Sequence, residues 1–241
     1  MEHFYIDKYS SIDSMIHRID PRIKIISAGI LILSIIFTEV NSMPAFVLYA
    51  ITILGLILLS RIPLRYVVKQ SLTIIPFVFM VGILMPFLNK VNGLILFWNI
   101  FIKAYLITLS MIILVSSTSF PKLLKAFEKL KFPKLLIMIM SFMYRYIFVI
   151  MDELIEMKQA KDSRSIGGTK YFHLKTLGNM LGNLFIRSYE RAESVYMAMC
   201  ARGFNGSVIT LDSFSINYRD IIFLFVVISI VILVRIVTVQ P

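Results

Sequence analysis

Cysteine is nearly missing from this chain: Cys200 is the single one among 241 residues. An internal disulfide framework is therefore impossible. Histidine is almost as scarce, and His3, His17 and His173 are scattered, which argues against a histidine-built metal site. Charged residues make up 16% of the chain, against roughly 25% in an ordinary soluble domain. Neither a disordered chain nor a soluble globular one fits that shortage. Acids are scarcer than bases, 14 against 25, so the formal net charge is +11. A phosphate-cradling nucleotide loop is missing as well. The run GGTK at Gly167–Lys170 lacks the glycine spacing and the following hydroxyl of G-x-x-x-x-G-K-[ST].

What is abundant is apolar surface: 58% of residues, with a mean hydropathy of +0.83. This is the composition of a membrane protein of several spans. A helix crossing about 30 Å of hydrocarbon needs roughly 20 mainly apolar residues. The candidates are Ile23–Val40, Met43–Ser60, Val67–Leu88 with Pro76 and Pro86, Gly93–Ser116 with Lys103, and Ile221–Val237. Spans must be helical, because lipid offers no partners for free backbone groups. The expected fold is all-α: a polytopic membrane protein with about five transmembrane helices and long amphipathic cytoplasmic helices.

Basic residues set the orientation, because they are retained on the cytoplasmic side. With the N-terminus inside, all of the 25 Lys and Arg except Lys90, Lys103 and Arg235 fall on that side. The reverse topology would strand them outside. The chain then divides into a cytoplasmic N-terminus (1–22), a four-span part (23–118), a cytoplasmic coupling-helix module (119–220) and a C-terminal transmembrane helix (221–241). No signal peptide is visible, since the first apolar run follows the polar-rich residues 1–22 without a small-residue cleavage pattern. Lys103 reads either as a lysine snorkelling to the outer headgroups or as a functional charge inside a bundle.

Residues 117–220 lack low-complexity runs and Pro/Gly-rich linkers, and three helices can be read there. In Pro121–Lys131, Ser119 is a candidate N-cap and Pro121 suits the first turn. Leu123, Leu124, Phe127 and Leu130 recur at helical spacing, opposite Lys122, Lys125 and Lys129. Such a helix lies in the membrane interface with its lysines toward anionic headgroups, or packs as an ordinary cytoplasmic helix. The second, Pro133 to about Ser165, is apolar from Leu135 to Met140 and polar from Asp152 onward. Its central Arg145 needs a carboxylate or a cavity. A sixth span over Leu135–Met151 would place many basic residues outside and is set aside. Gly167 and Gly168 suit the C-terminal cap. The third helix, about His173 to Ala201, puts Phe185, Tyr189, Ala192, Tyr196 and Met199 on one face, and Gly203 closes it.

Both long helices end on an arginine beside glycine, Arg164 and Arg202. A cation there complements the helix macrodipole. It also presents a guanidinium fork for docking, amid the soft side chains of Met157, Met197, Met199 and Cys200.

The run Ser117–Gly168, STSFPKLLKAFEKLKFPKLLIMIMSFMYRYIFVIMDELIEMKQAKDSRSIGG, resembles the transmembrane T component of energy-coupling factor (ECF) transporters. So do RSYERAESVYMAMCARGFNG at Arg187–Gly206 and HRIDPRIK at His17–Lys24. With IDKYS at Ile6–Ser10, the chain looks most similar to CbiQ, the cobalt-type member. The resemblance implies a multi-pass subunit in the cell membrane of a prokaryote. It implies an importer in which two cytoplasmic ABC ATPases bind ATP and a small CbiM-like S component captures the substrate. The T component would join them, through Ala-Arg-Gly motifs whose arginines dock into the ATPases. One motif is intact as Ala201-Arg202-Gly203. The other reads Ser163-Arg164-Ser165, with the glycine delayed to Gly167. The implied substrate is cobalt or nickel, with a shared vitamin-importer T component as the alternative. The resemblance implies no cofactor, metal site or nucleic-acid partner on this chain.

Two other classes compete. A membrane enzyme would need facing acids, bases or nucleophiles, but Asp152, Glu153 and Glu156 beside Lys158 and Lys161 read as a solvated helix face. A channel or self-sufficient carrier would line a path with polar residues. The candidates are Ser27, Ser34, Thr52, Ser71, Thr73, Asn99, Lys103, Thr108 and Ser110, which read better as mediating close helix packing.

Overall fold

The computed structural model describes residues 10, 12, 14–39, 42–83, 93–164, 170–204, 206 and 217–239. Every regular element among them is a helix. The chain is an all-α polytopic membrane protein. It forms two units, residues 1–130 with 212–241, and residues 131–211.

The first unit begins with α1 (Pro21–Ile36) and α2 (Met43–Ser60). Asp20 starts α1 by accepting the Arg22 amide at 2.9 Å, and Pro21 stands in the first turn, where its missing N–H costs nothing. Pro44 plays the same part in α2. Then come α3 (Leu64–Leu72), α4 (Ile75–Gly82), α5 (Gly93–Ser116) and α6 (Phe120–Lys129). The last helix of this unit is α9 (Tyr218–Val239).

Helix α5 is the hub and packs against α1, α2, α3 and α4, while α9 packs against α1 and α2. The core between them holds Ile35, Ala45, Tyr49, Ile53, Leu106, Ile112 and Val234. The Tyr49 hydroxyl, fully buried, hydrogen-bonds the Ser34 hydroxyl of α1. The outward faces stay apolar: Leu33, Val47, Ile51, Leu54, Leu58, Trp98 and Val115 are exposed in the isolated chain. On a soluble protein such a surface would aggregate; facing lipid it is the expected solvent.

One span departs from expectation. Val67–Leu88 is not a continuous helix. Helix α3 stops at Leu72, a turn follows at Thr73 and Ile74, and α4 restarts at Ile75. The cause is Pro76, which cannot donate to the carbonyl of Leu72 and whose ring clashes with it. It is accommodated in the first turn of α4 instead. Leu88 and Pro86 lie outside the described residues, as does Val40 at the far end of the first expected span. By length and composition, Met43–Ser60, Gly93–Ser116 and Lys134–Ser163 are the described helices able to cross a membrane. The last includes Leu135–Met151, the stretch that the charge count set aside. Helix α1, with 16 residues, is only about 24 Å long, and α9, with 22, about 33 Å.

The second unit contains two long helices, α7 (Lys134–Arg164) and α8 (Lys170–Ala201), which pack against each other.

Candidate docking site at the helix ends

The C-terminus of α8 is closed by a Schellman cap. The Gly203 amide donates to the Cys200 carbonyl at 3.0 Å and the Phe204 amide to the Met199 carbonyl at 3.1 Å. Gly203 sits at φ +77°, the left-handed conformation that this closure needs and that glycine adopts without strain. Arg202 is therefore the cap residue itself. Ala201, Arg202 and Gly203 are all exposed. Among the described residues the Arg202 guanidinium has neither a hydrogen-bond nor an ion-pair partner. One turn earlier, the neighbouring Cys200 side chain, as a hydrogen-bond partner, holds the Tyr196 phenol above its ordinary pKa.

At the end of α7, Arg164 is the last helical residue. Ser163 is exposed, and its hydroxyl donates to the Gln159 carbonyl at 2.9 Å, so it is spent on its own helix. Ser165, Gly167 and Gly168 lie outside the described residues. The two long helices are braced where Arg187 Nη1 of α8 meets Glu153 Oε1 of α7 at 2.9 Å. From that brace α7 runs eleven residues to Arg164, about 16 Å, and α8 fifteen residues to Arg202, about 22 Å. Arg145, expected to need a carboxylate or a cavity, pairs with no carboxylate among the described residues. It is exposed, its guanidinium 6.0 Å from the Tyr146 ring, at the outer limit of a cation–π contact.

Sequence reasoning left the brace unnoticed, because Glu153 and Arg187 each read as a solvated charge. It also missed a buried polar latch in the first unit. Asp220 accepts the Asp20 amide at 3.0 Å through one carboxylate oxygen and the Asn217 amide at 2.9 Å through the other. It thereby ties the start of α9 to the start of α1. Beside it, Lys24 Nζ is buried and donates to the Ser117 carbonyl at 2.9 Å and the Thr118 hydroxyl at 3.3 Å. The signal available was an acid three residues after Asn217 at the head of an apolar run, the spacing of a capping box.

Most polar residues of the spans bond locally, while the buried Asn99 Oδ1 has no partner among the described residues. Thr52, Thr108, Ser27, Ser71, Thr73 and Asn99 each donate to a carbonyl of their own chain three or four residues back. Lys103 and Arg235 converge on the end of α1. Lys103 Nζ donates to the Ile36 carbonyl at 3.0 Å and the Thr38 carbonyl at 2.6 Å, and Arg235 Nη1 to the Phe37 carbonyl at 3.1 Å. Two of the three bases that the charge count left outside thus cap one helix C-terminus, where cations are stabilised by the dipole.

An all-helical membrane bundle with a pair of braced amphipathic helices defines a class of multi-pass membrane protein. More narrowly, the chain belongs to the family described as Cobalt transport protein, CbiQ, which matches residues 13–212. It is similar to the energy-coupling factor transporter transmembrane protein EcfT of Staphylococcus aureus, 31% identical over 84% of this chain and 84% of that one. The protein of the same name from Bacillus subtilis is 29% identical, over 86% of each chain. A protein of Methanocaldococcus jannaschii without an assigned function is 27% identical over 92% of this chain and 82% of its own length.

Proposed function

We propose that this chain is the non-catalytic transmembrane T component of an ECF-type importer, most directly one for cobalt or nickel. It sits in the cell membrane of a prokaryote with its N-terminus in the cytoplasm. Arg164 and Arg202 dock into two cytoplasmic ABC ATPases, and the ATP stays with those partners. The observation that carries the reading is the exposed Arg202, without a partner among the described residues, on a Schellman cap in a chain whose relatives are named ECF transmembrane proteins. Helix tips held by two ATPases would approach when ATP draws the ATPases together. The brace Arg187–Glu153 lies between those tips and the rest of α7 and α8, so tip movement is transmitted along rigid helices. The open apolar faces, including Phe185, Tyr189 and Tyr196 of α8 and Leu135, Ile139 and Met143 of α7, suit a small membrane S component.

The family description supports cobalt as substrate. The relatives carry a name without a metal, which favours the alternative of a T component serving vitamin-specific S components. A self-sufficient channel is disfavoured by the hydroxyls of the spans bonding their own helices rather than a shared path. Affinity purification from the native membrane in mild detergent, with mass spectrometry of what comes along, tests the reading. Two ATPases with one small metal-binding membrane protein support the cobalt or nickel importer. Several different small membrane proteins would move the assignment to the shared component. An absence of any ATPase would contradict the coupling role.

A further inference from the structure

Helix α6 carries a face that the coupling role does not use. Lys122, Lys125 and Lys129 recur at intervals of three and four and so share one side of the helix. Lys122 and Lys129 are exposed and Lys125 is half-buried. Away from the lysines Leu124 is buried and Leu123 and Phe127 are half-buried, and α6 packs against α1. Glu128 is the single acid of the helix.

The level of this face is fixed by its neighbours. Helix α5, long and apolar enough to cross a membrane, ends at Ser116, and α6 begins at Phe120. The intervening three residues can reach about 10 Å at most. They are also pinned, because Lys24 of α1 holds the Ser117 carbonyl and the Thr118 hydroxyl. The polar headgroup layer is about 5–8 Å deep on each side of the hydrocarbon. A helix tethered this closely to the end of a span, and packed against α1, holds its lysines at headgroup depth.

We infer that the Lys122–Lys125–Lys129 face of α6 is a binding site for the phosphodiester headgroups of anionic phospholipids. Lysine serves here as a point charge on a flexible stem, matched to a mobile phosphate. The inference needs the membrane placement and α6 alone; it stands whether or not Arg202 docks an ATPase.

The test uses the full chain in mild detergent, titrated with palmitoyl-oleoyl phosphatidylglycerol or the matching phosphatidylcholine, with bound lipid counted by native mass spectrometry. The wild-type chain is expected to favour phosphatidylglycerol. The K122Q/K125Q/K129Q variant is expected to lose that preference by on the order of tenfold. The K122R/K125R/K129R variant should retain it, and K158Q/K161Q on α7 should leave it unchanged. Equal binding of the two lipids by the wild type, or an unaltered preference in the glutamine variant, would overturn the inference. So would a glutamine variant that binds lipid normally but loses an acidic protein partner, which would assign the face to that protein.

Discussion

Arg202 is held by geometry rather than by side-chain partners. Its position follows from the backbone bonds of Gly203 and Phe204, and among the described residues its guanidinium is left free to bind. Arg202→Glu should therefore leave the chain folded and abolish co-purification of the ATPases. Truncating one partner of a buried interfacial charge pair costs about 2–5 kcal/mol. Arg202→Lys should retain only part of the binding, because a bidentate fork is replaced by a point charge. Asp220 is the opposite case, a buried carboxylate whose two oxygens are both used. Asp220→Ala orphans the buried amide of Asp20, at about 1–3 kcal/mol for a buried donor left unmade, and releases the more exposed amide of Asn217. Thermal unfolding in detergent should show a clear loss of stability, smaller for Asp220→Asn, which keeps one acceptor. Arg202 is readable from sequence because arginine before glycine at the end of an amphipathic helix is a local pattern. For Asp220 the local spacing from Asn217 announces only a helix cap; its partner amide at Asp20 lies 200 positions away and is not readable.

Helix ends and breaks are governed by a few backbone positions. At φ +77° a Cβ strains the chain even though open space surrounds Gly203. Gly203→Ala should cost about 1–2 kcal/mol of local stability and speed hydrogen exchange of the Gly203 and Phe204 amides. Pro76→Ala restores a donor at the turn between α3 and α4. Slower exchange from Thr73 to Phe77 would show the two helices joining, and unchanged exchange would show that another force sets the break. The Arg187–Glu153 brace is more than half exposed on the arginine side, so a double-mutant cycle should give no more than about 1 kcal/mol. Its value is in aligning α7 with α8. The bounds of α6, α7 and α8 were legible to within three residues because charge and apolar periodicity mark their faces. The break at Thr73 and Ile74 was not legible, although Lys69, Gln70, Ser71 and Thr73 interrupt the apolar run just before it. The proline was visible, but lipid-buried helices tolerate proline, and sequence gives no way to choose between a kink and a restart.

The membrane character of the chain follows from composition, and family membership from residues 13–212. The bundle built on α5 turns its apolar surface outward, which is consistent only with lipid as solvent. Lys103 and Arg235 looked like exceptions to the charge rule, and sequence could not say what they were for. They cap α1, a role that requires the three-dimensional convergence of α5, α9 and the end of α1. The partner of the exposed α8 tip, which the resemblance implies to be an ATPase, is the centre of the account. The most direct measurement places a photo-cross-linking residue at Ala201, beside the intact Arg202, in the full complex in native membranes. The account predicts an ultraviolet-dependent adduct to an ATPase subunit, lost when Arg202→Glu is added. An adduct to lipid alone, or an ATPase adduct that survives Arg202→Glu undiminished, would contradict it.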